Sequence, residues 1–477
     1  MNCTASVAER FRAHPDRAAF WTVSGHTCSF GEVERLAAGT QALARSRGIG
    51  PGDPVLLLGL PGPRLFAAVL GLLGLGAPVV FVEPWLPVRE LDDVIRRVRP
   101  RAFVGSRLAR LWALRVGAVR SIPDWQALGR IEPARGGAFV CADLDPDAPG
   151  TVTFSSGTTG APKGLVRSHR CLATLFRLMS AYDEEEAEAG PDLCVFPNLA
   201  LLHLATGRGS VLFPTRWGRG AFRRVAAVAR AAEPTTVSCG PGFLERLVTH
   251  VRQRPGDFST LRRVAVGGAQ IDCGLLEEAF THWPAARWLQ VYGGSEAEPV
   301  AVTDARESVE RSRARDRFQA LFLGRPIPEI DTSLEDDGLW VSGPNVATRF
   351  GDGPPSDGRR VGEDGREWHC LGDRIDAEGG DWWYGGRARQ PREEFELEQR
   401  LYGDLGTSAC FVHRSRDGRL MLFGEGLPRE VRRFAPDFRT RHPELDGVRP
   451  LRIVRDRRHR ARIDRGASLA RAGLGEA

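Results

Sequence analysis

Lysine is all but missing from this 477-residue chain. Of 66 basic side chains, one is a lysine, Lys163, and the rest are arginine. Codon drift toward GC explains a surface that carries arginine wherever either cation serves. A site that needs a compact ammonium does not tolerate the exchange so easily, because guanidinium is planar, larger and more weakly hydrated. Cysteine is present nine times, but never as CxxC and never at zinc-ligand spacing, which excludes a zinc-ribbon scaffold. An odd number of scattered thiols in a long chain predicts reduced cysteines and a cytoplasmic setting. The opening Met1-Asn2-Cys3-Thr4 lacks the basic-then-apolar pattern of a secretory leader. No apolar run is long and unbroken. The longest, Leu65–Val82, is interrupted by Gly71, Gly74, Gly76 and Pro78. It predicts a buried helix, a turn and a buried strand rather than a membrane span. No internal repeat is apparent, and there is no G-x-S-x-G elbow for serine-hydrolase chemistry.

What is there suits a soluble protein of at least two domains. Apolar residues make up 42% and charged residues 26%, enough for a sizeable core. The net charge of +6 is small for this length and does not call for a nucleic-acid partner. Strand and helix patterns alternate early: strand Val55–Leu58, helix Leu65–Leu75, strand Pro78–Val82, helix Val88–Val98, strand Ala102–Val104. Such alternation predicts a parallel sheet covered by helices. Further core strands are expected at Thr151–Phe154, Val264–Val266 and Trp288–Tyr292. Asp183–Glu188 reads as a solvated acidic loop, and Ala305–Arg317 as solvated charged surface. The run Trp382–Arg389, WWYGGRAR, followed by QPREE, reads as a linker, with about 90 residues beyond it for a small α+β domain.

The stretch Ser155-Ser156-Gly157-Thr158-Thr159-Gly160-Ala161-Pro162-Lys163-Gly164 carries the strongest chemistry. Glycines expose backbone N–H groups, hydroxyls donate to oxyanions and the lone lysine adds charge, as polyphosphate binding requires. It is not a Walker loop, since Pro162 and Gly164 stand where that motif needs glycine and a hydroxyl. The stretch resembles the phosphate loop of the adenylate-forming superfamily: acyl-CoA synthetases, peptide-synthetase adenylation domains and luciferases. Further segments follow in that superfamily's order. Val266-Gly267-Gly268-Ala269 resembles the glycine turn beside adenine. Tyr292-Gly293-Gly294-Ser295-Glu296 resembles YGxTE, with Ser295 in place of threonine. Trp368-His369-Cys370-Leu371-Gly372-Asp373 and Trp383-Tyr384-Gly385-Gly386-Arg387 resemble the two ribose-contacting segments, and Arg389 stands at the hinge position.

The resemblance implies an α/β fold with a large domain over 1–387, built of parallel-rich sheets under helices, and a small mobile α+β domain over 388–477. It implies activation of a carboxylic acid with ATP and Mg²⁺, pyrophosphate release, and transfer of the acyl group to an acceptor. Lys163, Glu296 and Arg462 are the implied catalytic residues, with Glu296 also on Mg²⁺. Ser155, Ser156, Gly157, Thr158, Thr159, Gly160, Gly268, Ala269, Tyr292, Gly293, Ser295, Asp373 and Arg387 are the implied nucleotide contacts. Asn198, His203 and Gly294 are placed at the acyl pocket, with core packing as the alternative for His203. Within the superfamily, the WHCLGD, WWYGGR and Asp456–His459 segments and the short chain look closest to the β-lactone synthetases and acyl-adenylating ligases of natural-product biosynthesis.

Two departures stand out. The C-terminal motif Asp456-Arg457-Arg458-His459-Arg460-Ala461-Arg462-Ile463-Asp464-Arg465 has Arg462 where the superfamily has a catalytic lysine. Either the arginine serves in a reshaped site, or the acid is unusual or already adenylated, or the chemistry is slow or lost and the chain is a nucleotide binder. The loop after the hinge is shortened, since Arg389-Gln390-Pro391-Arg392 runs into an acidic helical stretch. That favours an acceptor needing no pantetheine tunnel, such as an amine or the substrate's own hydroxyl, over CoA or a carrier protein. The eight arginines of Arg449–Arg465 are interrupted by Asp456 and Asp464 and lack interleaved aromatics, so nucleic acid is not the expected partner. Neither is a membrane.

Overall fold

The computed structural model describes residues 1–82, 86–136, 138–155, 163–181, 190–215, 217–350, 358–415, 417–455 and 463–474. The strand Val55–Leu58 shows why apolar runs become central strands here. Val55 and Leu57 point into one core and Leu56 into another, and the neighbouring Val79 and Val80 divide the same way. Strands buried on both faces have no polar side, so their sequences are continuous rather than alternating.

That strand lies within a seven-stranded sheet. Its spatial order is Thr348–Arg349, Lys163–Ser168, Pro149–Ser155, Val79–Phe81, Val55–Leu58, Ala102–Gly105 and Asp124–Ala127. The last five are mutually parallel, and the first two are antiparallel additions. An eight-stranded sheet runs Ala301–Asp304, Arg287–Tyr292, Arg263–Gly267, Thr236–Cys239, Asp192–Cys194, Ser210–Leu212, Ala18–Trp21 and Thr27–Ser29, with only the two outermost strands antiparallel. The helices Phe30–Ser46, Pro63–Leu75 and Leu199–Thr206 contribute to one core shared by both sheets, where Phe20 stacks on Phe66.

The interrupted apolar run Leu65–Val82 resolves as expected into the helix Pro63–Leu75 and the strand Val79–Phe81. Gly76 caps the helix at φ 78°, a conformation costly for any residue with a Cβ. At Gly71 a Cβ would sit 2.7 Å from the Ala37 carbonyl oxygen, so this glycine sets how closely two core helices approach.

A third layer is antiparallel and was not expected from the sequence. It holds a three-stranded sheet, Phe322–Gly324, Asp381–Arg387 and Asp373–Glu378, and a four-stranded one, Asp331–Glu335, Gly338–Ser342, Glu367–Cys370 and Arg359–Val361. Two readings are corrected here. WWYGGR is not linker: Trp382, Trp383 and Tyr384 are buried in the strand Asp381–Arg387. Ala305–Arg317 is not merely solvated. The helix Ala305–Arg313 buries Ser308 and Ser312, Arg311 lies 3.8 Å from the Phe322 ring centroid, and Arg315 lies 3.8 Å from that of Trp383.

After Arg387 the chain crosses four residues to the helix Arg392–Leu405, capped by Pro391. The three-stranded sheet Cys410–Arg414, Leu420–Gly424, Gly447–Pro450 follows, with apolar clusters of its own. Inside it, buried Glu398 accepts from the Val412 amide at 2.8 Å and pairs with Arg465 at 2.8 Å. This C-terminal unit touches the preceding layers through Arg317–Glu396, Gln319–Gln399 (2.9 Å) and Ser408–Asp272 (2.8 Å), with Phe318 beside Tyr402. None of the nine cysteines forms a disulfide. Among the described residues, no helix is long and apolar enough to cross a membrane.

Candidate active site

Ligands in open α/β sheets bind beyond the carboxyl ends of the parallel strands. Two neighbouring strands of the eight-stranded sheet end there in glycine turns. Arg263–Gly267 leads into Gly268 and Ala269, and Arg287–Tyr292 leads into Gly293. Gly268 has φ +86°, and a Cβ on Gly293 would lie 2.7 Å from the Ala297 carbonyl oxygen. Both positions therefore demand glycine for local geometry, whatever they bind.

Gly268, Ala269, Tyr292, Gly293 and Asp373 line one cavity. Tyr292 donates its hydroxyl to Asp373 Oδ2 at 2.9 Å, and Arg387 Nη1 reaches Asp373 Oδ1 at 2.9 Å. The same Arg387 nitrogen also donates to the Leu371 carbonyl at 2.9 Å, which gives it two acceptors. Burial, and next the Asp373 carboxylate, hold the Tyr292 phenol well above the ordinary tyrosine range. The phenol is thus a permanent donor. Sequence positions 81 and 14 residues apart meet at one carboxylate because Asp373 opens one strand of the antiparallel layer and Arg387 closes its partner. Gln290 and Tyr384 line the same cavity without having been anticipated. Nothing local marks Gln290, an ordinary strand glutamine, while Tyr384 stands within the WYGGR segment without having been given a role there.

The turn after Tyr292 is tightly held. Gly294 N–H donates to the Ala297 carbonyl at 2.8 Å, and the Ala347 amide donates to the Glu296 carbonyl at 2.7 Å. A Cβ on Gly294 would stand 3.1 Å from Glu296 Oε2, so the absent side chain leaves room for the carboxylate to fold back. Ser295 and Glu296 are both half-buried.

Ser155 and Lys163 face each other across the antiparallel strands Pro149–Ser155 and Lys163–Ser168, which places the ends of the hydroxyl-rich loop. Ser156, Gly157, Thr158, Thr159 and Gly160 lie outside the described residues, as does Arg462. Arg455 and Ile463, which flank the Arg462 segment, pair antiparallel.

His203 sits elsewhere. Its ring is buried, with Nδ1 2.8 Å from Ser210 Oγ and Nε2 3.6 Å from Asp192 Oδ1. Asp192 aligns with Thr236, which aligns with Arg263, so this cluster lies at the amino ends of the strands. The glycine turns are at the other end. Burial raises Asp192 to about 6, while Thr236 (2.8 Å), Arg263 and Arg208 oppose the rise. Asp192, Cys194 and His203 bring ligand atoms within 4.8 Å of one another. The nearby arginines already balance the carboxylate, so the arrangement is a buried polar network. Asn198 is exposed just before the helix Leu199–Thr206, and its side chain does not cap it.

The residues fit a nucleotide. The carboxylate of Asp373 is the right acceptor for ribose hydroxyls, the glycine turns leave backbone open to a flat base, and Tyr292 adds an aromatic wall. Glu296 offers the hard oxygen that a magnesium ion prefers.

Fold and cavity together suit a nucleotide-binding enzyme. The chain belongs to the AMP-binding enzyme family, whose model matches residues 7–350. It is 30% identical over 341 residues to the olefin beta-lactone synthetase of Stenotrophomonas maltophilia, covering 66% of this chain and 60% of that protein. The chain therefore spans about three fifths of that relative's length. A feruloyl-CoA synthase of Amycolatopsis is 27% identical, with 84% of each chain covered. Two solved structures share the fold. One is the anthranilate CoA ligase AuaEII, with TM-score 0.79, 16% identity, and coverage of 100% of this chain and 97% of that one. The other is the amide bond synthetase McbA of Marinactinospora thermotolerans, with TM-score 0.79, 20% identity, and 98% and 99% covered.

Proposed function

We propose that this chain joins a carboxylic acid to the α-phosphate of ATP, releases pyrophosphate, and passes the acyl group from the adenylate to an acceptor. The observation that carries the reading is the Asp373 carboxylate, held by Tyr292 and Arg387 against the two glycine turns. In this reading Asp373 accepts the ribose hydroxyls, and Arg387 steadies it. Tyr292 and the Gly268–Ala269 backbone flank the adenine. Loop 155–164, with Lys163, holds the phosphates that leave. Magnesium, where Glu296 would hold it, neutralises phosphate charge. The attacking carboxylate oxygen and the departing pyrophosphate oxygen lie in line at phosphorus, so the protein's task is positioning and charge stabilisation. Arg462 supplies the cation that arrives from the C-terminal unit.

For the acceptor we favour the substrate's own β-hydroxyl, closing a β-lactone, or an amine. The four-residue connector before the helix Arg392–Leu405 supports this, because it leaves little chain with which to wall a pantetheine tunnel. The olefin beta-lactone synthetase relatives point the same way. A CoA or carrier-protein thiol is the alternative. A second reading, a nucleotide binder without turnover, is favoured by one feature: the C-terminal unit contains no lysine.

The test is pyrophosphate release from Mg·ATP with a panel of carboxylic acids, β-hydroxy acids included, without added acceptor. Sustained release with loss of water from a β-hydroxy acid supports lactone closure. A single turnover that resumes on adding an amine or a thiol supports a ligase. ATP binding with no release from any acid refutes the enzymatic reading and leaves the binder.

A further inference from the structure

We propose that Arg167 is a positioning residue that couples the phosphate loop to the Ser295–Glu296 turn and so sets where the Glu296 carboxylate stands. This rests on the function proposed above. Arg167 lies on the strand Lys163–Ser168, four residues beyond the lysine that ends the loop. Its half-buried guanidinium donates from Nη2 to the Ser295 carbonyl at 2.6 Å and from Nη1 to Thr153 Oγ1 at 3.2 Å. Thr153 belongs to Pro149–Ser155, the strand that enters the loop. One side chain thus spans both strands that carry the loop and the turn that carries Glu296, residues 128 apart in sequence.

The next carbonyl along the turn, that of Glu296, accepts from the Ala347 amide at 2.7 Å. Ala347 leads into Thr348–Arg349, which pairs with the strand bearing Arg167. Two consecutive carbonyls, Ser295 and Glu296, are therefore anchored to the same strand, one by side chain and one through backbone. Fixing both peptide planes fixes the direction in which the Glu296 side chain leaves the chain. A planar fork reaches two acceptors from two separate nitrogens held at a fixed spacing, whereas the donors of an ammonium all leave one freely rotating nitrogen. At this position the arginine is thus more than a lysine substitute.

A residue that orients a metal-binding carboxylate from behind changes metal affinity when lost, typically by about 10–100-fold. The experiment compares Arg167→Met, Arg167→Lys and, as a control, Arg170→Gln. Arg170 makes a surface pair with Asp147 at 2.8 Å and touches no part of the turn. Two readouts are taken on the full chain: the Mg²⁺ concentration for half-maximal acid-dependent pyrophosphate release, and the Mg²⁺ dependence of binding a non-hydrolysable ATP analogue.

Arg167→Met is expected to raise the Mg²⁺ requirement at least about tenfold in both readouts. At saturating Mg²⁺ it is expected to lower kcat by about 10–100-fold while moving the ATP KM less than about threefold. Arg167→Lys should fall between, and Arg170→Gln should match the wild type. A lowered melting temperature with an unshifted Mg²⁺ requirement would overturn the proposal, because a structural brace alone gives that pattern. If Arg167→Met does not fold, Arg167→Lys decides by the same criterion. If the wild type releases no pyrophosphate, the proposed function fails, while the analogue-binding readout still tests Arg167.

Discussion

Replacing Asp373 by alanine tests the nucleotide site most directly, provided it is done against two nucleotides. The carboxylate accepts from the Tyr292 hydroxyl and from Arg387, both at 2.9 Å. In the proposed complex it also accepts ribose hydroxyls. A hydrogen bond to a charged group contributes about 1.5–3 kcal/mol, or roughly 10–100-fold in affinity. Wild-type protein should therefore bind 2′-deoxy-ATP or 3′-deoxy-ATP about 10–100-fold more weakly than ATP. In Asp373→Ala that penalty should shrink to less than about threefold, because the partner of the missing hydroxyl is gone. Tyr292→Phe removes a protein donor to the same carboxylate and should keep the deoxy penalty. Isothermal titration of the three proteins with each of the two nucleotides, alongside a thermal melt, gives the six affinities and a folding control. Equal deoxy penalties in wild type and Asp373→Ala would refute the ribose assignment, even if the mutant binds ATP poorly.

Four further outcomes are expected. Glu296→Ala should cut acid-dependent pyrophosphate release by at least about 10²-fold, as loss of one preorganised electrostatic group does, read by a coupled pyrophosphate assay. Arg462→Lys separates two histories: a rise in that rate means the site still suits an ammonium, and a sharp fall means it has adapted to guanidinium. Stability should decline in mild acid because of His169, which burial lowers to about 4 from 6.5 and whose Nδ1 accepts the Cys3 amide at 3.2 Å. The unfolded chain takes up that proton first, so its contribution is full above pH 6.5 and is lost as pH falls toward 4. It amounts to at most about 3 kcal/mol, and His169→Gln should flatten this part of a urea-denaturation pH series. Arg465→Met strands Glu398 and should destabilise the C-terminal unit by about 3 kcal/mol, read by hydrogen exchange, with protonation of the carboxylate limiting the loss.

Legibility from sequence followed the range of the forces involved. The helix Val88–Val98 was read with its observed ends, and the strands at 55–58, 102–105 and 287–292 within a residue. Their patterns are local and their burial is continuous. The third layer was missed because strands such as Asp331–Glu335 are short, polar and half-exposed, with no apolar period to find. WWYGGR misled because Gly385, Gly386 and Arg387 imitate a loop, whereas Trp383 before them is covered by Arg311 and Arg315 from another segment. The site shows the same division. Gly268, Gly293 and Asp373 stand in contiguous motifs, and a motif survives translation into space. Arg167 acts on Ser295, far along the chain, and no window of sequence contains both ends of such a contact.

Part of the seam between the C-terminal unit and the layers before it is made of exchangeable polar groups: a carboxylate on a guanidinium, an amide on an amide, a hydroxyl on Asp272. Water can replace each of these bonds nearly one for one. Two aromatic contacts cross it as well, Phe318 on Tyr402 and Tyr384 on the buried Phe395. The polar part of the seam is thus a latch rather than a weld. The unit's dwell time in this posture should shorten with added salt, which weakens the Arg317–Glu396 pair.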